Sequence, residues 1–201
     1  MLLWVKQTFE AFDYAILSFW HMTAEYAGFL LTPFLRFVSL LGDRGIVLIV
    51  FGCILLCFRK TRKTGFCVLP ALGIGALITN VILKTWVGRV RPFQSPVSEY
   101  FEWWILAGAL PQDDFSFPSG HVTAAMAVVT AFCLCEKKKR FRFIGSVFVI
   151  LMGISRNYFM VHYPSDVLAA VIVGFLAGGF SYKIVGCVSK KREKRINATA
   201  G

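Results

Sequence analysis

The chain has 201 residues, of which 57% are hydrophobic and 16% charged, and its formal net charge is +11. A soluble domain is roughly 45–50% apolar and about 25% charged, and one of this size has too little interior to hide so much apolar surface. With a mean hydropathy of +0.65, the composition excludes an ordinary water-soluble fold and makes an integral membrane protein the default.

In chain order, the start MLLWVKQTFE lacks the basic start, clean apolar run and small-residue cleavage site of a signal peptide. Residues 14–41 are largely apolar but include His21, Glu25 and Arg36, with Pro33 among them. They read as one or two interfacial helices, with a sixth, imperfect span as the alternative. Five apolar segments follow, at about 45–58, 65–83, 120–135, 143–155 and 167–188. A full span needs about 20 apolar residues, which the second and fifth meet or approach. The others reach it only with flanking residues in the interface. The predicted fold class is all-α: a polytopic membrane helical bundle of five spans plus N-terminal interfacial helices. Residues 1–44 form the N-terminal segment, 45–188 the transmembrane domain and 189–201 a basic cytoplasmic tail.

The breaks between segments carry the charge. Residues 59–63 hold four basic residues and no acidic one. Residues 136–142 hold Lys137, Lys138, Lys139, Arg140 and Arg142 against Glu136, and the tail holds Lys190, Lys191, Arg192, Lys194 and Arg195 against Glu193. The positive-inside rule puts all three in the cytoplasm and residues 84–119 and 156–166 on the opposite face. The six cysteines lie in apolar segments or near their ends, without zinc-ligand spacing to a histidine, and read as packing residues. Asn197-Ala198-Thr199 fits a glycosylation sequon but falls on the predicted cytoplasmic tail.

With this topology, polar residues far apart in sequence reach the outer face together. Lys84 ends the second span and Arg91-Pro92 follows it. Pro118-Ser119-Gly120-His121 opens the third, Ser155-Arg156 closes the fourth, and His162-Tyr163-Pro164-Ser165-Asp166 opens the fifth. Ionisable groups at membrane depth are costly and usually functional. Lys84, Arg91 and Arg156 supply three cations suited to phosphate oxygens. Pro118 suits a first helical turn, which leaves the amides of Ser119 and Gly120 at a helix N-terminus that favours anions. Asp166, four residues after His162, is placed to accept a hydrogen bond from one imidazole nitrogen and free the other to attack. His121 is then the general acid on the leaving oxygen and later the base for water. The pattern describes two-step hydrolysis through a phosphohistidine.

These residues resemble the signature of the type 2 phosphatidic acid phosphatase superfamily: K-x6-R-P, P-S-G-H and S-R-x5-H-x3-D. Here the three parts are Lys84-TWVGRV-Arg91-Pro92, Pro118-Ser119-Gly120-His121 and Ser155-Arg156-NYFMV-His162-YPS-Asp166. The resemblance covers about residues 45–188. It implies a helical bundle with its site at the outer membrane face, and no metal and no cofactor. It implies His162 as nucleophile, Asp166 as its partner and His121 as acid and base. Lys84, Arg91, Ser119, Gly120 and Arg156 are implied as phosphate ligands. Many members have six spans; this chain lacks a clear first one.

A site at headgroup depth favours a lipid phosphate, and Trp103 and Trp104 suit the interface. The resemblance to short bacterial members makes undecaprenyl diphosphate the first expectation, at the outer face of a bacterial cell membrane. Phosphatidylglycerophosphate or phosphatidate is the alternative. A non-catalytic headgroup binder or flippase has no need of the two histidines. The expected partners are the lipid phosphate and membrane lipids. Nucleic acid is disfavoured, because the cations sit beside spans and not among exposed aromatics.

Overall fold

Long apolar runs closed by basic clusters satisfy their backbone polar groups internally, and in this chain they do so as helices. The computed structural model describes the backbone of residues 2–199 and the side chains of residues 8–188. No strand occurs among the described residues. Helix α1 runs Leu2–Gly42 and a tight turn, Asp43–Gly45, leads into α2, Ile46–Cys57. Helix α3, Arg62–Ala76, continues through a π-helical stretch, Leu77–Leu83, into the short α4, Lys84–Val87. Helix α5, Ser98–Leu106, lies in the long connection before α6, Gly120–Glu136. Helices α7, Lys139–Tyr158, and α8, Pro164–Thr199, complete the bundle.

The five predicted apolar segments are α2, α3 with its π-helical extension, α6, α7 and α8. Among the described residues three helical stretches are long and apolar enough to cross a membrane: Thr8–Cys57, Arg62–Gln94 and Pro164–Val188. The predicted one or two helices of the N-terminal third are a single helix, with Pro33 inside it. The side chains of the basic tail, and those of the Asn197 sequon, lie outside the described residues.

Helix α6 is the central packing element, against α3, α7 and α8. Its junction with α8 is set by Gly174 and Gly178, four residues apart on one face. A Cβ at Gly174 would lie 2.6 Å from the Thr123 carbonyl oxygen, and one at Gly178 2.7 Å from that of Ala127. Small residues at this spacing let two helices touch backbone to backbone, as they do in membrane bundles. One core joins Leu48, Val68, Ala71, Ala127 and Ala177 from four helices. A second, aromatic cluster of Leu17, Tyr100, Trp103 and Tyr163 closes the other end of the bundle. Ile172, Phe175, Leu176 and Phe180 of α8 face outward and are exposed. In water such a patch would be an aggregation hazard; against lipid it is a matched surface.

Candidate active site

The π-helical stretch delivers Lys84 to the end of its helix, and irregular turns of this kind recur at functional sites. Gly88, left-handed at φ 59, then ends α4. Beyond it Arg89 and Arg91 are buried rather than solvated. Lys84 Nζ and Arg91 Nη2 both pair with the Asp114 carboxylate, and Arg91 Nε donates to the Asp114 carbonyl at 2.8 Å. Burial works to raise the Asp114 carboxyl, but its bonds to Lys84 and Arg91 outweigh this and hold it down at about 2. Asp114 was not among the expected site residues.

Arg91 Nη1 donates to the Val161 carbonyl at 2.6 Å and lies 3.2 Å from His162 Nε2. A guanidinium can only donate, so Nε2 accepts and the imidazole proton sits on Nδ1. Burial, then the cations Arg91, Arg156 and Lys84, push His162 well below its ordinary range. The imidazole is therefore neutral, with its Nε2 lone pair turned toward Arg91.

The expected hydrogen bond between His162 and Asp166 is not formed: Nδ1 and Oδ2 are 3.8 Å apart. The carboxylate is already occupied. Arg89 Nη1 donates to Oδ1 at 2.6 Å, while Ser116 Oγ at 2.5 Å and the Tyr163 amide at 3.0 Å donate to Oδ2. Nδ1 of His162 has no hydrogen-bond partner, so Asp166 is its neighbouring charge, not its partner.

Arg89 and Asp13 were also missed by sequence reasoning. Arg89 stacks 3.8 Å over the Tyr163 ring and gives its other nitrogen to Asp13 at 2.7 Å. Asp13 comes from α1 and is 1% exposed. It also accepts the Ser165 amide at 2.8 Å and hydroxyl at 2.7 Å. A carboxylate from the N-terminal helix thus caps the start of α8, where the helix dipole favours negative charge. A lone aspartate in an apolar run was the available signal.

Ser119 is the N-cap residue of α6 and Gly120 its first helical residue. Pro118 precedes the cap and is not in the first turn. The Ser119 amide is turned to the Asp166 carbonyl at 3.4 Å, and its buried hydroxyl has no partner. Arg156, fully buried, donates from Nη1 to Ser39 Oγ of α1 at 2.5 Å; its Nε and Nη2 have no partner. Two free donors on a buried guanidinium fit an anion. Trp103 is buried against Tyr14 and Tyr100, and Trp104 stacks on Phe93 at 4.7 Å, so both pack inward.

Lys84, Arg91, Gly120, His121, Arg156 and His162 all line one cavity of about 1030 Å³, which Leu40, Ile49, Leu69 and Leu72 line as well. Ser119 and Asp166 lie behind them. The cavity joins cations, two imidazoles and an apolar slot, the chemistry a phosphate on a lipid tail requires. Among the described residues no group of three or more His, Cys, Asp or Glu is placed to hold a metal ion. The six cysteines are free thiols.

The family model described as the PAP2 superfamily matches residues 64–188. The chain is 32% identical over 151 residues to phosphatidylglycerophosphatase B of Bacillus subtilis, a match covering 69% of this chain and 68% of that one. It is 30% identical over 138 residues to an undecaprenyl-diphosphatase of Sulfolobus acidocaldarius, covering 69% of this chain and 63% of the relative. Its fold superposes on the crystal structure of a transmembrane PAP2-type phosphatidylglycerolphosphate phosphatase from Bacillus subtilis with a TM-score of 0.67 and 26% identity, over 94% of this chain and 92% of the other.

Proposed function

The chain belongs to the PAP2 superfamily, and from that premise we propose that it hydrolyses a lipid phosphate or diphosphate at the outer membrane face through a phosphohistidine on His162. The observation that carries this reading is Arg91 Nη1 at 3.2 Å from His162 Nε2, inside a cavity shared with Lys84, Arg156 and His121. Phosphate oxygens displace the Asp114 carboxylate from Lys84 and Arg91 and take the two unpartnered donors of Arg156. The α6 N-terminus at Gly120 adds its dipole. Freed by Arg91, the Nε2 lone pair attacks phosphorus. The bond from phosphorus to the leaving oxygen breaks as that oxygen takes a proton from His121, which carries it as the imidazolium once the phosphate dianion is bound beside it. Asp166 stabilises the charge that appears on the imidazole. Water, deprotonated by His121, then attacks the phosphorus, the bond to nitrogen breaks, and inorganic phosphate leaves. Arginine and lysine supply the charge stabilisation, so the proposed chemistry needs no metal.

Undecaprenyl diphosphate is the substrate we place first, and phosphatidylglycerophosphate second. Relatives named for each reaction support this pair. The outward orientation rests on the basic 59–63 and 136–142 loops. A side-by-side assay of the purified protein on undecaprenyl diphosphate, phosphatidylglycerophosphate and phosphatidate tests the reading. Phosphate release from at least one of them is expected, and release from none would refute it.

A further inference from the structure

The cavity continues beyond the residues that hold the reacting phosphate. The same cavity is lined by Arg36, Asp43 and Arg44, at and next to the turn between α1 and α2, and by the apolar residues Ile49, Leu69 and Leu72. The turn abuts the acid/base residue directly, because a Cβ on Gly42 would lie 2.9 Å from His121 Cδ2. Arg44 is held at φ 46, a left-handed conformation that costs an arginine free energy and that proteins tend to keep where function requires it. Among the described residues neither Arg36 nor Arg44 forms an ion pair. This stretch therefore presents two unpaired guanidinium groups against one carboxylate, Asp43.

In-line attack from His162 sends the leaving oxygen out on the opposite side of phosphorus, toward His121. The Asp43–Gly45 turn, next to the Gly42 that abuts His121, therefore lies beside whatever that oxygen carries. Resting on the phosphatase reading above, we propose that Arg44, backed by Arg36, is a subsite for a second, non-reacting phosphate on the leaving group. In a lipid diphosphate that phosphate is the leaving group itself, and Arg44 neutralises the charge it gains as the bridging bond breaks. In a glycerol-spaced lipid it is the phosphodiester that joins the glycerol to the diacylglycerol. A lipid monophosphate such as phosphatidate has nothing to place there.

The test compares wild type, Arg44→Ala, Arg36→Ala and the double variant on undecaprenyl diphosphate, phosphatidylglycerophosphate and phosphatidate in detergent. The readout is the ratio of kcat/KM on each two-phosphate substrate to kcat/KM on phosphatidate, which cancels any shared loss of folded protein. One lost charge-assisted hydrogen bond lowers that ratio about tenfold in Arg44→Ala, more in the double variant and less in Arg44→Lys. A fall confined to the diphosphate assigns the subsite to a directly attached phosphate, and one confined to phosphatidylglycerophosphate to a phosphodiester. Unchanged ratios in all the variants would overturn the subsite. Absence of phosphate release by wild type from all three lipids would instead overturn the phosphatase reading.

Discussion

Arg89 and Asp166 are joined at 2.6 Å in the interior of the bundle, and the same guanidinium holds Asp13 of α1 at 2.7 Å. The carboxylate beside the candidate nucleophile is thus aimed by an arginine that in turn depends on the N-terminal helix. Arg89→Ala leaves two buried carboxylates without their cation, a loss of about 3–5 kcal/mol. We expect a lower Tm in detergent and little remaining turnover. Arg89→Lys, a single point charge, cannot bridge both carboxylates and is expected to recover little. Wild-type turnover in Arg89→Lys would show that the fork is dispensable.

Asp114 occupies the cations that the reading assigns to phosphate. Its carboxyl is held at about 2, so it stays ionised and competes at every working pH. Asp114→Asn keeps the shape and removes the charge. Inhibition by inorganic phosphate should then tighten by roughly five- to tenfold, as expected for one charge-assisted contact no longer displaced. Weaker inhibition would mean that Asp114 orients Lys84 and Arg91 instead.

The pH profile follows from His162. The nucleophile acts as the neutral imidazole, and its pKa is lowered by burial and by Arg91, Arg156 and Lys84. As pH falls, the base form persists below the ordinary histidine value of about 6.5. The acid limb of kcat/KM is therefore expected below that value. Arg91→Gln removes one cation and should shift the limb upward. A downward or absent shift would contradict the assigned electrostatics.

Helix packing offers a check independent of chemistry. Gly174→Val places its side chain where even a Cβ would lie 2.6 Å from the Thr123 carbonyl. Overpacking of this kind costs about 1–3 kcal/mol, so Tm should fall, whereas Gly179→Ala, with open space at its Cβ, should leave it near wild type.

Much of the molecule was legible in advance, for identifiable reasons. Apolar runs punctuated by Arg59-Lys60 and Lys137-Lys138-Lys139 located five helices within a few residues, except for the end of α8, which runs on to Thr199 through the basic tail, because backbone satisfaction in lipid leaves few other structures. Lys84, Arg91, His121, Arg156 and His162 were visible as costly polar residues at span ends, and they meet in one cavity. The partners of Asp13 and Ser39 were not legible. They are 76 and 152 residues away for Asp13 and 117 for Ser39, and only the packing of α1 brings them together. Arg89 was hidden inside the spacer between Lys84 and Arg91. The direct bond between His162 and Asp166 was a reasonable inference from four-residue spacing, but it could not anticipate that Arg89, Ser116 and the Tyr163 amide would claim the carboxylate first.

Metal dependence separates this chemistry from a metal-assisted hydrolysis. Activity is expected to survive EDTA with little loss, because Lys84, Arg91 and Arg156 carry the charge stabilisation. Strict dependence on an added divalent cation would refute that assignment.

The most direct test of the central claim is to trap the covalent intermediate. His121→Ala, which cannot deliver the hydrolytic water efficiently, is incubated with a lipid phosphate labelled in its terminal phosphate and quenched in base. The label should remain on the protein, be base-stable and acid-labile, map to the peptide containing His162, and be absent from His162→Ala. Persistent phosphate release by His162→Ala, or label on any other residue, would contradict the account.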